Sequence, residues 1–509
     1  MNSLIFKKEE RVPSWKEFTS PRKIEITKQY IELPEILKEN YKKILLINPN
    51  WRKATYLDTN VKGATINHPV LTLPTLATPL LQEGHDVQII DLDFYSDPDK
   101  NLLEKIKSYK PDIVGTTGTT PFFHEIIRIS KLIKEYDKNI KIVVGGAHAT
   151  AYPEEFVETS HIDYAIKGSG DYSIVEIAKY LNGEIKLEDI KSLVYMENGK
   201  IKKTKNRSAY ELEDLPLPSW QLVPMGKYAN SYVLSKKNPI GPIETSRGCP
   251  WACHYCTKTI FGTKFNAKSP KKVVDEMEFM LKMGFNEIHI QDDLFSTDTE
   301  RVKGICDEIQ KRGLKFPWML MNGIRVDTVE LEMLKKLKKA GCYMTGLGIE
   351  SGNQEVLDDI GKGITLEQTR NAIRLLKKAK IETFGFFMLG LPKDNEKTMQ
   401  QTIDFAKELN LDLVKFDICV PLPGTTLFRR WEKEGVIKTK DWKNYLFHQD
   451  ASVLYDHPNV SWSTLTKYYK KAFREYYFRP NYVLKRLKRS IAYGNVMKDL
   501  KVLLTTKWT

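Results

Sequence analysis

The sequence reads GCPWACHYC at residues 248–256, directly after the strand-like run PIETS at residues 242–246. Cys249, Cys253 and Cys256 therefore share one short loop with C-x3-C-x2-C spacing. Thiolates are the soft ligands that hold iron–sulfur clusters, and three of them leave one iron of a [4Fe–4S] cube without a protein ligand. A structural zinc site takes four closed ligands and a disulfide pairs two cysteines, so three cysteines favour an iron–sulfur cluster over a zinc knuckle or a disulfide.

This loop, placed after a strand, resembles the signature of the radical S-adenosylmethionine (SAM) superfamily. The resemblance implies that Cys249, Cys253 and Cys256 are the metal ligands and the catalytic centre, and that SAM chelates the open iron through its amino and carboxylate groups. In that superfamily an electron from the cluster cleaves the sulfonium of SAM. Tyr255 matches the aromatic position beside the adenine. Arg247 is a cationic neighbour that either damps the negative charge of the cluster or lies on a solvated surface.

The rest of the composition is typical of a cytoplasmic, redox-reduced enzyme. A chain of 509 residues is long enough for two or three domains with substantial cores. Six cysteines in that length do not make a disulfide framework, and we expect Cys306, Cys342 and Cys419 to be buried small hydrophobes. We find no signal segment and no run of about 18 apolar residues, so we expect a cytoplasmic protein that does not span a membrane.

Residues 240–430 repeat a strand and then a helix six times. Strands are predicted near 242–246, 286–291, 316–321, 344–349, 383–389 and 413–419, and helices near 270–283, 300–312, 328–340, 366–379 and 396–409. Thr365 and Asn395 stand where helix N-caps belong. Six such units are typical of the partial (β/α)6 barrel of the radical SAM fold, and the chemistry would lie at its C-terminal mouth, as in full barrels.

The resemblance also assigns roles to side chains that follow the second and third of these strands. Asp292 and Asp293 match the contact to the methionine amino group of SAM, although two adjacent acids equally suit the cap of the next helix. Arg325 would pair with the methionine carboxylate. Residues 421–425, with the sequence PLPGT, would close the mouth, unless they form only a proline-rich turn.

Two further segments carry the resemblance after the fourth and fifth strands. GIESG at 348–352 resembles the ribose- and methionine-binding stretch, in which Glu350 and Ser351 supply polar contacts and the glycines allow close approach. GFFMLGLP at 385–392, which contains Gly390, resembles the apolar segment that flanks the adenine. Both segments would contribute to the SAM site.

A first α/β block occupies residues 43–185. Short apolar strands are predicted at 43–47, 86–90, 111–115, 141–144 and 164–166, with helical stretches between them. Alternating strands and helices indicate a parallel, doubly wound sheet of Rossmann-like (flavodoxin-like) type. Loops rich in glycine and threonine fall at the carboxyl ends of the strands, where open α/β sheets bind their ligands.

This block resembles the cobalamin-binding domain that precedes many radical SAM cores. The likeness lies in GGAHAT at 145–150 and GSGD at 168–171. It implies cofactor contacts from Thr119, Gly145, Gly146, His148 and Gly168. The D-x-H-x-x-G motif that ligates cobalt through histidine is absent, so a histidine of that kind would not hold the lower face of cobalamin. The alternative is a flavodoxin-like domain that has lost its ligand or binds another one.

Three segments lie outside the two blocks. Residues 1–42 are expected to form an N-terminal extension packed on the body. Residues 186–239 are expected to link the domains, because the prolines in LPLPSW at 215–220 remove hydrogen-bond donors and fix φ. Residues 431–509 are expected to be a basic, mainly helical C-terminal region.

Most of the net charge of +14 lies near the C-terminus. Residues 462–509 carry twelve basic and two acidic side chains, a net charge of +10. Leu484, Leu487 and Ile491 recur at helical spacing among basic residues, with Tyr493 and Trp508 nearby as amphipathic anchors. Such a helix predicts peripheral membrane contact through residues 483–509, and the alternative is an ordinary surface helix packed on the barrel.

SRGCPWAC at 246–253, PKKVVDE at 270–276 and a short C-terminal region most resemble the anaerobic magnesium-protoporphyrin monomethyl ester cyclase group and its hopanoid methylase relatives. The resemblance implies a cobalamin-dependent radical SAM enzyme that methylates an unactivated carbon of a small hydrophobic or lipid-like substrate, with a flavodoxin or ferredoxin as reducing partner. The alternatives are an oxidative cyclase of the same architecture and a non-catalytic iron–sulfur protein. Methylthiolation of tRNA would want a second cysteine trio, but no cysteine precedes residue 249, so no nucleic-acid partner is expected.

Overall fold

The computed structural model describes residues 16, 19–50, 68–208, 210–228, 234–446, 451–492, 494, 496–497 and 499–500. Tyr493 and Trp508, the expected anchors of the tail, lie outside the described residues. Helix α1 (Pro21–Tyr30) belongs to the predicted N-terminal extension. It packs against the second α/β block, where the ring of Tyr30 lies 5.1 Å from that of Phe279.

Seven strands form the first sheet: β1 (Lys43–Asn48), β2 (Asp86–Asp91), β3 (Ile113–Thr117), β4 (Lys141–Gly145), β5 (Tyr164–Ile166), β6 (Leu193–Glu197) and β7 (Lys200–Lys203). Their order is β2-β1-β3-β4-β5-β6-β7, and β1 to β5 are parallel. The order 2-1-3-4-5 is that of flavodoxin-like sheets. The doubly wound fold predicted for the first block is therefore confirmed.

Helices cover both faces of this sheet: α2 (Thr72–Gln82), α3 (Pro98–Tyr109), α4 (Phe123–Tyr136), α5 (Ala147–Ala151), α6 (Pro153–Val157) and α7 (Ser173–Leu181). The central strand β1 is buried on both sides. Leu45 and Ile47 join one apolar cluster, and Ile44 and Leu46 join the other. A run of consecutive apolar residues, as at 44–47, is typical of a strand in a sheet covered on both faces.

The expected linker begins with an addition to the first sheet. Strand β6 pairs antiparallel with β5, and β7 pairs antiparallel with β6. Asn198 and Gly199 form the tight turn between them, and both have positive φ. An Asn-Gly pair is the preferred sequence of such a two-residue turn, so a hairpin signal is present in the sequence. The prolines follow this hairpin, and Trp220 is fully buried after them.

The second block is an open barrel of six parallel strands: β8 (Ile240–Ile243), β11 (Glu287–Ile290), β12 (Trp318–Ile324), β13 (Cys342–Glu350), β14 (Glu382–Leu389) and β15 (Leu413–Ile418). Their order in space follows the sequence from β8 to β15. In the sequence between β8 and β11, two short strands pair as an antiparallel ribbon: β9 (Ser246–Arg247) and β10 (Asn266–Ala267). The predicted partial (β/α)6 barrel is confirmed.

Five barrel helices begin and end close to their predicted limits: α8 (Pro270–Met283), α9 (Thr299–Lys311), α10 (Leu331–Lys339), α12 (Leu366–Ala379) and α13 (Glu396–Leu409). A sixth, the short α11 (Gln354–Asp359), is not predicted from the sequence. Thr365 caps α12 in a capping box with Gln368, and Asn395 caps α13. These side chains accept hydrogen bonds from N–H groups that the first helical turn leaves without partners. Both predicted N-caps are confirmed.

Around and within the described part of the C-terminal region, the chain forms helices α14 (Thr426–Lys433), α15 (Trp462–Tyr477) and α16 (Pro480–Ala492). Helix α15 runs beside the last barrel strand, where the hydroxyl of Tyr477 accepts a hydrogen bond from the N–H of Val414 at 3.0 Å. The rings of Phe416 and Phe473 lie 5.5 Å apart in the same contact. Within the described ranges, no helix combines the length and the apolar character needed to cross a bilayer.

Candidate active site

The loop that carries the three cysteines is closed by contacts of its backbone. Gly248 has φ +84°, and a Cβ at this position would lie 2.2 Å from the carbonyl oxygen of Lys264. Only glycine can therefore occupy the position without moving the backbone. The N–H of Cys249 donates to the carbonyl of Gly262 at 3.3 Å, and the ribbon β9–β10 frames the same turn.

The far end of the loop is tied to two other elements. The N–H of His254 donates to the carbonyl of Ile360 at 2.9 Å, and its own carbonyl accepts from the N–H of Leu427 at 2.8 Å. The guanidinium of Arg325 lies over the ring of Trp251, 4.6 Å from its centroid. The loop is thus held by the residue that follows α11, by α14 and by the arginine that follows β12.

The three thiols are left free by these contacts. Cys249 and Cys253 are half-buried and Cys256 is exposed, while the other three cysteines are buried, as predicted. Desolvation by the loop and the neighbouring thiols of Cys253 and Cys249 raise the pKa of Cys256 to about 11. In the described part of the chain, no three His, Cys, Asp or Glu side chains are placed for a single metal ion. Cys253 and Cys249 lie near enough to Cys256 to shift its pKa, and three neighbouring thiolates are the donor type that an iron–sulfur cluster takes.

Asp292 and Asp293 hold the backbone that leads into the loop. Asp292 accepts hydrogen bonds from the N–H and the hydroxyl of Thr245, both at 2.5 Å. Asp293 accepts from the N–H of Gly248 at 2.8 Å, and burial raises its pKa. The following helix α9 is capped by Asp298, so the two acids do not cap it.

Glu350 forms a buried polar cluster with Tyr255 of the cysteine loop and with Lys362. Its carboxylate accepts from the Tyr255 hydroxyl at 2.9 Å and from the Lys362 ammonium at 2.8 Å. Glu350 has φ +66° beside a break in the strand register, a strained conformation that occurs mainly at functional sites. A Cβ on Gly348 would lie 2.6 Å from the Glu350 carboxylate, so the glycine makes room for this pair. Sequence reasoning missed Lys362, which resembles a surface lysine but is 7% exposed.

Arg325 and Ser351 use their polar groups within the protein. Arg325 donates to the carboxylate of Asp327 at 2.9 Å and to the carbonyl of Lys362 at 3.0 Å. The hydroxyl of Ser351 lies 3.1 Å from that of Thr402 on α13 and is fully buried. Both side chains brace the segments that carry Trp251 and Glu350.

Gly390 ends β14 where the C-terminal region packs on the barrel. It has φ +76°, and a Cβ would lie 3.0 Å from the side chain of Leu465 on α15. The buried carboxyl of Asp394 accepts from the N–H of Leu391 at 3.0 Å, and burial raises its pKa to about 6. The segment predicted to flank adenine is therefore shaped by the helix behind it.

The carboxyl edge of the first sheet is open at its glycine loops. Thr119 is exposed, and a Cβ on Gly145 would meet no atom within 4 Å. Gly146 has φ +97°, and a Cβ there would lie 2.7 Å from a backbone carbonyl of the preceding loop. Gly168, with φ +71°, lies beside the carbonyl of Ile260, 3.4 Å from its Cβ position. The open space at Gly145 fits a large planar corrinoid, and Gly168 faces the segment that follows the cysteines.

His148 lies in the packing between the first domain and the C-terminal region. Its ring is fully buried, 5.0 Å from that of Phe123 and 5.1 Å from that of Trp442. Its Nδ1 lies 3.3 Å from the hydroxyl of Thr120. Aromatic side chains therefore enclose it, whereas the glycines of the same motif lie at the open edge.

A side chain of the first domain reaches the mouth of the barrel. The Nε2 of His68 lies 2.6 Å from the Nε2 of Gln291, just after β11, and its Nδ1 lies 2.9 Å from the carbonyl of Pro69. Burial is the main cause that lowers the pKa of His68 to about 4. The ring is therefore neutral, donating from Nδ1 and accepting from the Gln291 amide. No sequence motif marks this contact, because the two residues are more than two hundred positions apart.

Two family profiles match the chain: the B12 binding domain over residues 61–178 and the radical SAM superfamily over residues 243–406. The chain is 32% identical over 447 residues to the uncharacterized methyltransferase PH0819 of Pyrococcus horikoshii, covering 87% of this chain and 94% of that protein. It is 29% identical over 416 residues to the anaerobic magnesium-protoporphyrin IX monomethyl ester cyclase of Rubrivivax gelatinosus, with coverages of 80% and 72%.

Among solved structures, the cobalamin-dependent S-adenosylmethionine radical enzyme OxsB with aqua-cobalamin bound matches with a TM-score of 0.71. The match covers 91% of this chain and 72% of that chain at 19% sequence identity. At that identity the likeness concerns the fold. The two domains of this chain thus have the same architecture as those of that protein.

The backbone closure of the loop gives a test with a matched control. We expect Gly248→Ala to reduce the iron bound after anaerobic reconstitution from about four atoms per chain to a small fraction, because its Cβ overlaps the Lys264 carbonyl. Gly262→Ala carries a similar positive φ but meets no atom within 4 Å, so it should keep most of its iron. Equal iron content in the two variants would contradict the role of the close approach.

Proposed function

We propose that this chain, which belongs to the family of radical SAM enzymes that carry a B12-binding domain, is a C-methyltransferase acting on an unactivated carbon. The observation that carries the proposal is the contact between the carboxyl edge of the first sheet and the mouth of the barrel. The glycine loops of the first sheet lie against the segment after the cysteines, at Gly168 and Ile260. His68 of the first domain contacts Gln291 at the barrel mouth. A methyl donor on one edge and a radical source on the other would therefore act on one substrate.

When bound, the cluster and SAM would supply a deoxyadenosyl radical that takes hydrogen from carbon, and cobalamin would supply the methyl group. The protein contributes binding, orientation and exclusion of water. Cys249, Cys253 and Cys256 would hold the cluster. Glu350 and Lys362, paired beside the loop, offer a carboxylate and an ammonium to the polar groups of SAM. A flavodoxin or ferredoxin would serve as the reductant.

A second candidate is an oxidative cyclase of the same architecture. It is favoured by the likeness to the Rubrivivax gelatinosus cyclase, which extends over both domains. The product distinguishes the two reactions, because methylation adds one carbon to the substrate and cyclisation adds none. The likeness to the Pyrococcus horikoshii methyltransferase, at higher identity and coverage, favours methylation.

The tail supports a hydrophobic or lipid-like substrate. Helix α16 exposes Val483, Leu484, Leu487 and Ile491 on one side, each between 48% and 64% accessible. On its other side Tyr482 is buried against the barrel. The helix thus packs on the body and still presents an apolar strip to solvent. Such a strip in a region of high positive charge suits the surface of an anionic bilayer.

The cysteine assignment is tested by single alanine variants. Cys253→Ala should abolish 5′-deoxyadenosine formation from SAM and lower the iron content, because the cluster loses one of its three ligands. Cys306→Ala and Cys419→Ala remove buried thiols that lie outside the loop sequence and should leave the iron content unchanged. Full SAM cleavage by reconstituted Cys253→Ala would rule the proposal out.

Cobalamin binding is tested at the two ends of β4. Gly145→Trp places a bulky side chain in the open space at the carboxyl end, so we expect at least tenfold weaker uptake of hydroxocobalamin by the full chain. Asn139→Leu alters an exposed residue just before the amino end of the same strand and should leave uptake unchanged. A wild-type chain that takes up no cobalamin would contradict the proposed methyl transfer.

Membrane contact is tested by co-sedimentation with phosphatidylglycerol vesicles at low salt. The wild-type chain should sediment with them, and the triple variant Leu484→Glu/Leu487→Glu/Ile491→Glu should stay largely in the supernatant. A matched control places three glutamates at exposed apolar residues elsewhere, Ile36, Tyr136 and Met196, and should still sediment. A wild-type chain that remains in the supernatant would remove the support for a lipid-like substrate.

A further inference from the structure

A buried ion pair lies between the cysteine loop and the first domain. Arg247, the residue before Gly248, is 9% exposed, and Asp171, in the GSGD turn of the first domain, is 3% exposed. The Nη1 of Arg247 donates to the carboxylate of Asp171 at 2.6 Å. The pair therefore joins the backbone that enters the cysteine loop to a loop at the carboxyl edge of the first sheet.

The segment that crosses between the domains shares this pair. The hydroxyl of Tyr210 donates to Asp171 and accepts from Nη1 of Arg247 at 3.0 Å. The carbonyl of Tyr210 accepts from the side-chain amide of Asn266 on β10 at 2.6 Å. Strand β10 is the partner of the strand that holds Arg247. Three distant parts of the sequence thus meet in one network.

Neighbouring groups fix both the position and the orientation of the Arg247 guanidinium. Its Nε donates to Glu244 at 2.7 Å, while Nη1 points to Asp171. Its plane lies over the ring of Phe261, 4.6 Å from the centroid. A planar fork can satisfy two carboxylates and stack on a ring at once, whereas a lysine ammonium is a point charge that fixes no plane.

Stability alone does not explain why these charged side chains are buried. Taking two charges out of water costs about as much as their attraction returns, so apolar side chains of similar volume would hold the domains together as well. What such a pair adds is one defined geometry. Although burial opposes it, Arg247 holds the pKa of Asp171 below its usual value, so the pair stays charged at neutral pH.

We propose that Arg247 is a positioning residue that fixes the cysteine loop relative to the corrinoid-side turn at 168–171, and so sets the separation of the two cofactor sites. The inference rests on the proposed function for the identity of those cofactors. The contact between Arg247 and Asp171 involves protein atoms alone. Arg247 donates hydrogen bonds to Asp171, Tyr210, Glu244 and Ser169, and none to a thiol of the described residues.

The first test uses hydrogen–deuterium exchange on the full chain and needs no cobalamin. Arg247→Lys keeps the charge and Asp171→Asn keeps the shape, yet each loses the oriented pair. We expect peptides that cover 248–262 and 168–172 to exchange about tenfold faster in both variants. The control is Arg128→Lys, which weakens ion pairs with Asp99 and Glu125 inside the first domain, and none of the three residues lies in either peptide. It should leave both peptides unchanged.

The second test measures the separation of the cofactors by electron paramagnetic resonance. In the reconstituted chain, the reduced cluster should speed the spin relaxation of cob(II)alamin, and the effect should fall at least twofold in Arg247→Lys and Asp171→Asn at unchanged iron and cobalamin content. A thermal unfolding midpoint of Arg247→Lys and Asp171→Asn equal to that of the Arg128→Lys control excludes general destabilisation. Variants with wild-type exchange and wild-type relaxation would overturn the role of Arg247. A wild-type chain without cobalamin would instead count against the proposed function, and the exchange result would still decide this inference.

Discussion

The arrangement depends on one constraint: the cysteine loop is held by its backbone, so its thiols remain free. Gly248 approaches the Lys264 carbonyl closely, and the N–H of Gly248 is bound by Asp293. His254 is tied at both its N–H and its carbonyl. Backbone contacts with the barrel thus define the shape of the loop. The entropy cost of ordering it is met by the barrel, and the ligands need only lose protons to bind iron.

The order of the elements could be predicted from the sequence because each is locally consistent. Most barrel helices carry an apolar stripe and a side-chain N-cap, as at Thr365 and Asn395, so residue types mark their limits to within a few residues. The hairpin of β6 and β7 was missed although its Asn-Gly turn is visible. The prolines that follow the hairpin favour a linker for the whole segment. The charged residues in β7 also obscure the alternation of apolar and polar residues that predicts a strand.

The site could be predicted only where a motif lies within one stretch of chain. The cysteine spacing and the segment around Glu350 are of that kind. Lys362, His68 and Arg247 acquire their positions from contacts between distant segments, which spacing cannot reveal. Asp292 illustrates the opposite case: its place after a strand suggests a ligand contact, yet its oxygens are occupied by Thr245. The position of a residue in the sequence narrows the list of candidate site residues. The contacts that its side chain makes in the fold then decide its role.

Strand β7 has a consequence for how copies of the chain meet. It lies at one edge of the first sheet, where backbone groups are available to pair with another strand. Lys200, Lys202 and Lys203 are all exposed along it. Two such edges brought together would set like charges side by side, which is a common device against sheet-to-sheet aggregation. The short hairpin that extends the sheet thus also ends it on this side, with a lysine-rich edge that disfavours pairing with a second copy.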